Sequence, residues 1–283
     1  MTDIISIIGY GYVGSSIGYL CQKNNIEFNV YDIENKQGNF NYFDNISKLI
    51  SFSEKKGDIH YIMIAVPTPS DTKGQCDISI IKSVLLQLQA VVTKETYIII
   101  KSTLVPTTCR KLSEEFQDLN IILSPEFLRE DSYKDDVYNA KFILLGIPLK
   151  FNLEKYQKIL KLMRLFYKHN SQIDIFMKSY EECEVFKYTL NTFFITKITF
   201  FNEIFELCDK LGVDYQKLKN MFSLDPRIGE YGITIPGLDG KFGAGKKCLP
   251  KELAGMIVLR EELGLDNSIL KEVQKKNDLL REL

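Results

Sequence analysis

The feature that most restricts what this chain can become is Gly9-Tyr10-Gly11-Tyr12-Val13-Gly14, placed directly after the apolar run Ile4–Ile8. An apolar run that breaks into three spaced glycines and resumes with helical spacing predicts a strand, a tight turn and a helix. Gly9 permits the turn, Gly11 lets a phosphate approach the backbone, and Gly14 lets the helix pack closely on the strand. The helix N-terminus then faces the anion with N–H groups that have no intrahelical partner. Asp32 closes the next apolar run, Phe28–Tyr31, 18 residues after Gly14. A carboxylate at that point binds a ribose 2′-hydroxyl and repels a 2′-phosphate. The expected cofactor is therefore NAD rather than NADP, held by Gly9, Gly11, Tyr12, Val13, Gly14 and Asp32.

Further runs of the same kind predict strands at Tyr61–Val66, Tyr97–Lys101, Ile121–Leu123, Phe142–Leu145 and Ile173–Phe176. Helical spacing fills Ile78–Val92 and Thr107–Leu119. Strand–helix alternation implies an α/β fold with a Rossmann-type, largely parallel sheet covered on both faces. The pattern changes at Ser179, which with Glu182 forms a capping box opening an uninterrupted helical stretch to Gly212. That helix would be roughly 48 Å long. Its apolar residues run nearly all round it, which predicts a helix buried between domains or subunits and a homodimer formed through it. The remainder reads as helix, loop and helix. Two domains are expected, 1–178 binding NAD and 179–283 forming a central helical domain for dimerisation and catalysis.

The 283 residues carry a net charge of −1, so no global field draws the chain to nucleic acid or an anionic membrane. No apolar run reaches the ~18–20 residues of a membrane span, and the first strand lacks the basic flank of a signal peptide. The six cysteines are far apart with no C-x-x-C pair, which fits reduced cytoplasmic thiols and gives no zinc framework.

Three loops follow predicted strands: Pro67-Thr68-Pro69, Ser102-Thr103 and Ser124-Pro125-Glu126. Ligands in parallel α/β sheets bind outside the carboxyl ends of the strands, so these loops and the glycine turn point to one cleft. Glu126 and Glu130 could supply a base or hold water, although Glu130 reads equally as a surface carboxylate beside Arg129. Lys187 and Asn191 lie four apart on the long apolar helix and so share a face. A lysine there needs an acceptor or a task, because an unpaired buried ammonium is costly. Lys197, Asn202 and Glu203 read as structural. Cys248 lies in Gly243-Ala244-Gly245-Lys246-Lys247-Cys248-Leu249-Pro250-Lys251-Glu252. Neighbouring positive charge raises the thiolate fraction of a cysteine, as a nucleophile requires. From these local residues alone a buried inert cysteine is the better reading.

In order, the motifs G-Y-G-Y-V-G, V-P-T-P, K-S-T, S-P-E-F-L-R-E, F-K-Y-T-L-N-T-F-F-I-T-K-I-T-F-F-N-E-I, D-P-R-I-G and C-L-P-K-E resemble the UDP-glucose/GDP-mannose dehydrogenase family over nearly the whole chain. The resemblance implies oxidation of a nucleotide sugar's primary alcohol to a carboxylate with two NAD, UDP-glucose being the first candidate substrate. It makes Cys248 the nucleophile of a thiohemiacetal and thioester, and Lys187 and Asn191 the donors to the developing oxyanion and a water. Thr103, Glu126, Glu130 and Glu252 fall at positions that hold or activate water. Pro67, Thr68, Thr103 and Glu130 would also touch the cofactor. Glu126, Phe127, Leu128, Arg129, Lys187, Tyr231, Gly243 and Gly245 would line the sugar, the last three through the loop Tyr231–Gly245.

Three departures accompany the resemblance. Lys246 stands for the second glycine of the family's G-x-G-G-x-C loop, Glu252 stands for its aspartate, and the chain stops before the family's C-terminal nucleotide-binding domain. The competing readings are a β-hydroxyacid or 6-phosphogluconate-type dehydrogenase, which needs no cysteine, and a catalytically degenerate NAD-binding subunit. Only His60 and His169 are available to a histidine-based dehydrogenase, and neither lies beside a site motif.

Overall fold

A computed structural model describes residues 3–57, 59–71, 74–92, 95–148, 151–245 and 248–282. Eight strands form one sheet: β1 Asp3–Ile8, β2 Phe28–Tyr31, β3 Asn41–Phe43, β4 Ile59–Ile64, β5 Glu95–Ile100, β6 Asn120–Leu123, β7 Phe142–Gly146 and β8 Asp174–Lys178. Their order is β3-β2-β1-β4-β5-β6-β7-β8. The helices between them are α1 Tyr12–Lys23, α2 Ile46–Glu54, α3 Ser79–Val91, α4 Thr108–Glu115, α5 Tyr133–Tyr138 and α6 Leu153–Phe166. After the sheet come α7 Tyr180–Leu211, α8 Tyr215–Leu224, α9 Cys248–Glu262 and α10 Ser268–Glu282.

The period of two along the strands sorts their side chains into two cores. Ile62, Ile64, Ile98 and Ile100 pack beneath α2, α3 and α4 with Leu49, Leu85 and Leu112. Ile5, Ile7, Met63, Tyr97 and Ile99 pack on the other face against Leu20 of α1 and Leu162 and Phe166 of α6. Because both faces are covered, β4 is buried along its whole length and apolar except at His60, as a central parallel strand should be.

Two strands, β7 and β8, run against the direction of the other six. β7 pairs with β6 antiparallel, Leu123 opposite Gly146, and then pairs with β8 in parallel. The chain after β6 is spent on the loop that carries Glu126 and on the six-residue α5. It therefore re-enters the sheet at the end it left, without the long crossover that a parallel partner needs. Strand β3 was not foreseen: its three residues, Asn41-Tyr42-Phe43, are too few to display a period.

The chain divides into two compact units, Met1–Pro69 with Asp77–Lys187, and Ser70–Cys76 with Tyr188–Leu283. The division falls inside α7. That helix starts as its sequence predicts: Glu182 accepts from both the backbone N–H and the hydroxyl of Ser179, whose Oγ accepts in turn from the Glu182 N–H. Within the single chain the helix is not buried on every side, and burial between subunits is not tested by it. Phe186, Phe193, Phe200 and Leu207 are 41%, 55%, 53% and 53% exposed in the single chain. In the second unit Phe201, Cys208, Tyr215, Ile233 and Ile235 form one core and Ile195, Ala244, Leu253 and Ile257 another. No helix among the described residues is long and apolar enough to cross a membrane.

Beside α2 the buried residues His60, Ser6, Ser53 and Asn29 make a polar chain that ends on the exposed Asn41. His60 Nε2 is 2.8 Å from Ser6 Oγ, which is 3.2 Å from Ser53 Oγ. Asn29 donates to Ser53 Oγ and accepts from Asn41. His60 Nδ1 has no hydrogen-bond partner, and burial pushes the imidazole down to about 4. Between that value and the unfolded value near 6.5 the unfolded chain binds a proton that the native chain refuses, so stability falls as pH drops through this window. The loss from this group is about 3 kcal/mol, complete near pH 4. The His60 imidazole proton resonances should titrate with a midpoint near pH 4; a midpoint at 6 or above would show that the ring is not sealed in.

Candidate active site

The glycine turn after β1 is built as its sequence requires. Gly9 has φ +87°, and a Cβ there would lie 2.6 Å from the carbonyl oxygen of Ala65. A Cβ on Gly14 would lie 2.0 Å from the oxygen of Gly9, so only glycine lets α1 approach the turn. Gly11 differs, because a Cβ there would meet nothing within 4 Å. That open space lies at the start of α1, which no side chain caps, so a pyrophosphate fits where the helix N-terminus is most positive. Asp32 Oδ2 accepts from the Tyr10 N–H at 2.6 Å and Oδ1 from the Glu34 N–H at 2.9 Å. These bonds aim the carboxylate back at the turn, the placement a ribose diol needs. Lys36 lies 4.0 Å from Asp32 but is held by Glu34, so acid still dominates this corner.

The loops after β4, β5 and β6 are tied to one another. Ser102 Oγ donates to the Val66 carbonyl at 2.7 Å, and Thr68 Oγ1 donates to the Thr103 carbonyl at 3.0 Å. Lys101 Nζ donates to Ser124 Oγ at 2.9 Å. The predicted cofactor residues Pro67, Thr68 and Thr103 thus lie on cross-linked loops at the carboxyl ends of neighbouring strands.

Glu126 is 8% exposed and Lys187 4%, and the Lys187 ammonium donates to Glu126 Oε1 at 3.0 Å. Glu126 Oε2 accepts from the Leu128 N–H at 2.6 Å, and Lys187 lies 5.6 Å above the Phe127 ring. Both oxygens of Glu126 are therefore engaged in holding the ammonium and the loop Phe127-Leu128. Arg129 is exposed and grips Asp136 through Nε and Nη2, so it does not pair with its neighbour Glu130, which is also exposed.

In the second unit Asn191 Nδ2 donates to Glu252 Oε2 at 2.7 Å, both residues being buried. The longer Glu252, where the family has aspartate, thus still reaches a partner. Cys248 is the first residue of α9 and part-exposed, one turn before Glu252 and on its face. Tyr231 is exposed and packs on Phe194 with ring centroids 4.5 Å apart. Gly243 and Gly245 lie against α10. Lys246 and Lys247, on which the argument for a charged cysteine loop rested, lie outside the described residues. The three structural residues of α7 are so placed: Lys197 donates to the Ile228 carbonyl, Asn202 accepts from the Gly243 N–H, and Glu203 lies 4.0 Å from Lys276.

Two groups escaped the sequence reading. Lys101 opens the K-S-T motif, and its ammonium is pushed down to about 8 by burial, opposed by the nearby Glu126 carboxylate and reinforced by the Lys187 ammonium. Glu184 is 1% exposed and accepts from the backbone N–H groups of Thr107 and Cys109, each at 2.8 Å. It caps α4, whose own N-cap residue, Thr107, provides no side-chain bond. Burial pushes Glu184 up to about 8. The reasoning that singles out Lys187 as a charge on an apolar helix applies equally to Glu184, three residues earlier.

Fold and site together define a dinucleotide-binding α/β protein with a buried lysine–carboxylate pair and a separate cysteine-bearing helical unit. The sequence profile of the NAD-binding domain of the UDP-glucose/GDP-mannose dehydrogenase family matches residues 43–164, and that of its central domain matches 181–279. With well over half of its length matched, the chain belongs to this family, and NAD is the dinucleotide its first domain implies. It is 28% identical over 230 residues to the UDP-glucose 6-dehydrogenase of Rickettsia bellii, covering 80% of this chain and 51% of that protein. The chain thus spans about half the length of the curated UDP-glucose 6-dehydrogenases it matches. In fold it is similar to a UDP-glucose dehydrogenase from Pyrobaculum islandicum, with TM-score 0.77, 24% identity and coverage of 99% of this chain and 68% of that one. A UDP-D-ManNAc dehydrogenase from Pyrococcus horikoshii gives TM-score 0.78 at 20% identity, covering 99% and 69%.

The Lys187–Glu126 pair makes a stability prediction. Removing one member of a buried ion pair strands the other charge and costs about 3–5 kcal/mol. Lys187→Ala should therefore lower the urea midpoint far more than the exposed Arg129→Ala does; equal small effects would show that the pair is solvated.

Proposed function

We propose that this chain catalyses the NAD-dependent oxidation of a nucleotide sugar's primary alcohol to the carboxylate, with UDP-glucose as the substrate to try first. The observation that carries the proposal is a pair of buried donors, Lys187 and Asn191, one turn apart on α7 and each fixed by a buried carboxylate. Donors already fixed where negative charge develops lower a barrier without reorganising during the reaction. Residues 1–178 serve the cofactor in this reading, and residues 179–283 serve catalysis and dimerisation.

Gly9, Gly11, Tyr12, Val13 and Gly14 hold the pyrophosphate, Asp32 the adenosine ribose, and Pro67, Thr68, Thr103 and Glu130 the remainder of the dinucleotide. NAD supplies the hydride acceptor in each of two oxidations. Cys248 Sγ attacks the aldehyde carbon to form a thiohemiacetal, which becomes a thioester on the second oxidation. Water then cleaves the thioester, releasing the carboxylate and the free thiol. Lys187 and Asn191 donate to the oxyanion of each tetrahedral stage, while Glu126 keeps Lys187 charged and aimed. Thr103 and Glu252 hold the water, and Glu130 assists proton transfer. Phe127, Leu128, Arg129, Tyr231, Gly243 and Gly245 line the sugar nucleotide.

A homodimer through α7 completes the proposal. Phe186, Phe193, Phe200 and Leu207 recur every seven residues, which keeps them in one stripe along the helix. Four large exposed apolar side chains in a row are what a second copy of the same helix would cover.

Two experiments test this reading. Protein, NAD and UDP-glucose should yield two NADH per sugar, and Cys248→Ala should remove the second. One NADH per sugar from the unaltered protein would mean a single oxidation without the cysteine. Absence of NADH with every nucleotide sugar, while NAD binds, would overturn the catalytic proposal. In the ultracentrifuge the protein should sediment as a dimer at micromolar concentration and Phe193→Glu with Phe200→Glu as a monomer; a monomeric unaltered protein refutes the helix interface.

A further inference from the structure

The segment Phe242–Ala244, which precedes Cys248, is held by side chains from two helices. The Gly243 N–H donates to Asn202 Oδ1 of α7 at 3.1 Å. The Ala244 N–H donates to Asn277 Oδ1 of α10 at 2.6 Å, and the Ala244 carbonyl accepts from Asn277 Nδ2 at 3.1 Å. The Phe242 carbonyl accepts from Arg281 Nη1 at 3.3 Å, and the same nitrogen holds Asp239 at 2.8 Å. Asn202 and Asn277 are 0% and 1% exposed. Four backbone groups across three consecutive residues thus find their partners on α7 and α10.

The glycines of this segment answer to the same helices. Gly243 has φ +68°, and a Cβ there would come within 3.0 Å of Asn277 Oδ1 and of Leu280 Cβ. A Cβ on Gly245 would lie 2.7 Å from the Arg281 guanidinium. Glycine is needed where α10 occupies the space a side chain would take.

A buried asparagine is costly to desolvate, and an apolar residue of similar volume would fill its place at least as well. What the amide adds is direction. Asn277 binds the N–H and the carbonyl of one residue, as a neighbouring strand would, and so fixes the peptide planes on both sides of Ala244. Cys248 begins α9 four residues later.

We infer that Asn277 is a positioning residue for Cys248: with Arg281 of α10 and Asn202 of α7 it holds the segment Phe242–Ala244 that precedes the nucleophile. The inference rests on the proposed role of Cys248, but its first readout does not depend on turnover. In Asn277→Leu the Ala244 N–H and carbonyl lose their partners and must turn toward water, carrying the part-buried thiol outward. Alkylation of Cys248 by iodoacetamide, followed by peptide mass spectrometry with Cys76 as internal reference, should then accelerate at least threefold. NADH per UDP-glucose should fall from two toward one, because only the second oxidation uses the thiol. Lys276→Ala, a surface change on the same helix, should alter neither quantity. Asn277→Ser provides the same comparison if the leucine variant does not fold.

An unchanged or slower Cys248 alkylation in a folded Asn277 variant overturns the inference, as does retention of two NADH per sugar. If the unaltered protein makes no NADH, the proposed activity falls, while the alkylation rates still decide whether Asn277 places the thiol.

Discussion

Two titratable side chains buried about one turn apart, Glu184 and Lys187, fasten the start of α7 to the loops at the carboxyl ends of the strands. Glu184 holds the first N–H groups of α4 and so the far end of the loop that follows β5. Lys187 holds Glu126 and through it the loop that follows β6. Each buried group is tolerable only because the other element brings a hydrogen-bonding partner to it. The first turns of a 32-residue helix are therefore placed by directional polar contacts, and apolar packing by Tyr180 and Cys183 against the α2–α4 core supports them. A purely apolar helix start could slide along its partner core at little cost. One anchored by the hydrogen bonds of Glu184 and the ion pair of Lys187 cannot.

This arrangement explains why the chemistry-bearing residues sit where they do. The carboxyl ends of β1, β4, β5 and β6 supply the glycine turn, Thr68, Thr103 and Glu126 in turn, and the sheet order β1-β4-β5-β6 makes these loops neighbours. The cross-loop bonds Ser102 to Val66, Thr68 to Thr103 and Lys101 to Ser124 then remove most of their freedom. A site on such loops is rigid before any ligand arrives, which favours binding by avoiding an ordering cost.

Much of the fold was legible in the sequence because its strands are short unbroken apolar runs and its long helix begins with a reciprocal Ser179–Glu182 cap. The antiparallel β7 was not, since strand direction depends on where a connection returns and apolar periodicity carries no sign. β3 was too short to register, and the exposed Phe186, Phe193 and Phe200 defeat any rule that equates apolar with buried in a single chain. Among the candidate residues, Asp32, Lys187 and Asn191 stood out by their spacing. Their partners did so only in part: Glu126 was read as a base or a holder of water, and the structure shows its two oxygens accepting from Lys187 and from the Leu128 N–H. Lys101, Glu184 and Asn277 were missed because their significance lies in contacts 23 to 77 residues away along the chain.

The polar chain from His60 through Ser6, Ser53 and Asn29 to Asn41 joins β4, β1, α2, β2 and β3 in their spatial sequence. Isoleucine-rich strands are nearly interchangeable, and a shift of two residues would keep every apolar face turned inward. It would also separate His60, Ser6, Ser53 and Asn29 inside the core, at about 1–3 kcal/mol for each one left unsatisfied. The network therefore works as a key in a lock of otherwise identical wards: it admits one alignment of the N-terminal strands and rejects the near-degenerate ones that hydrophobicity alone would accept.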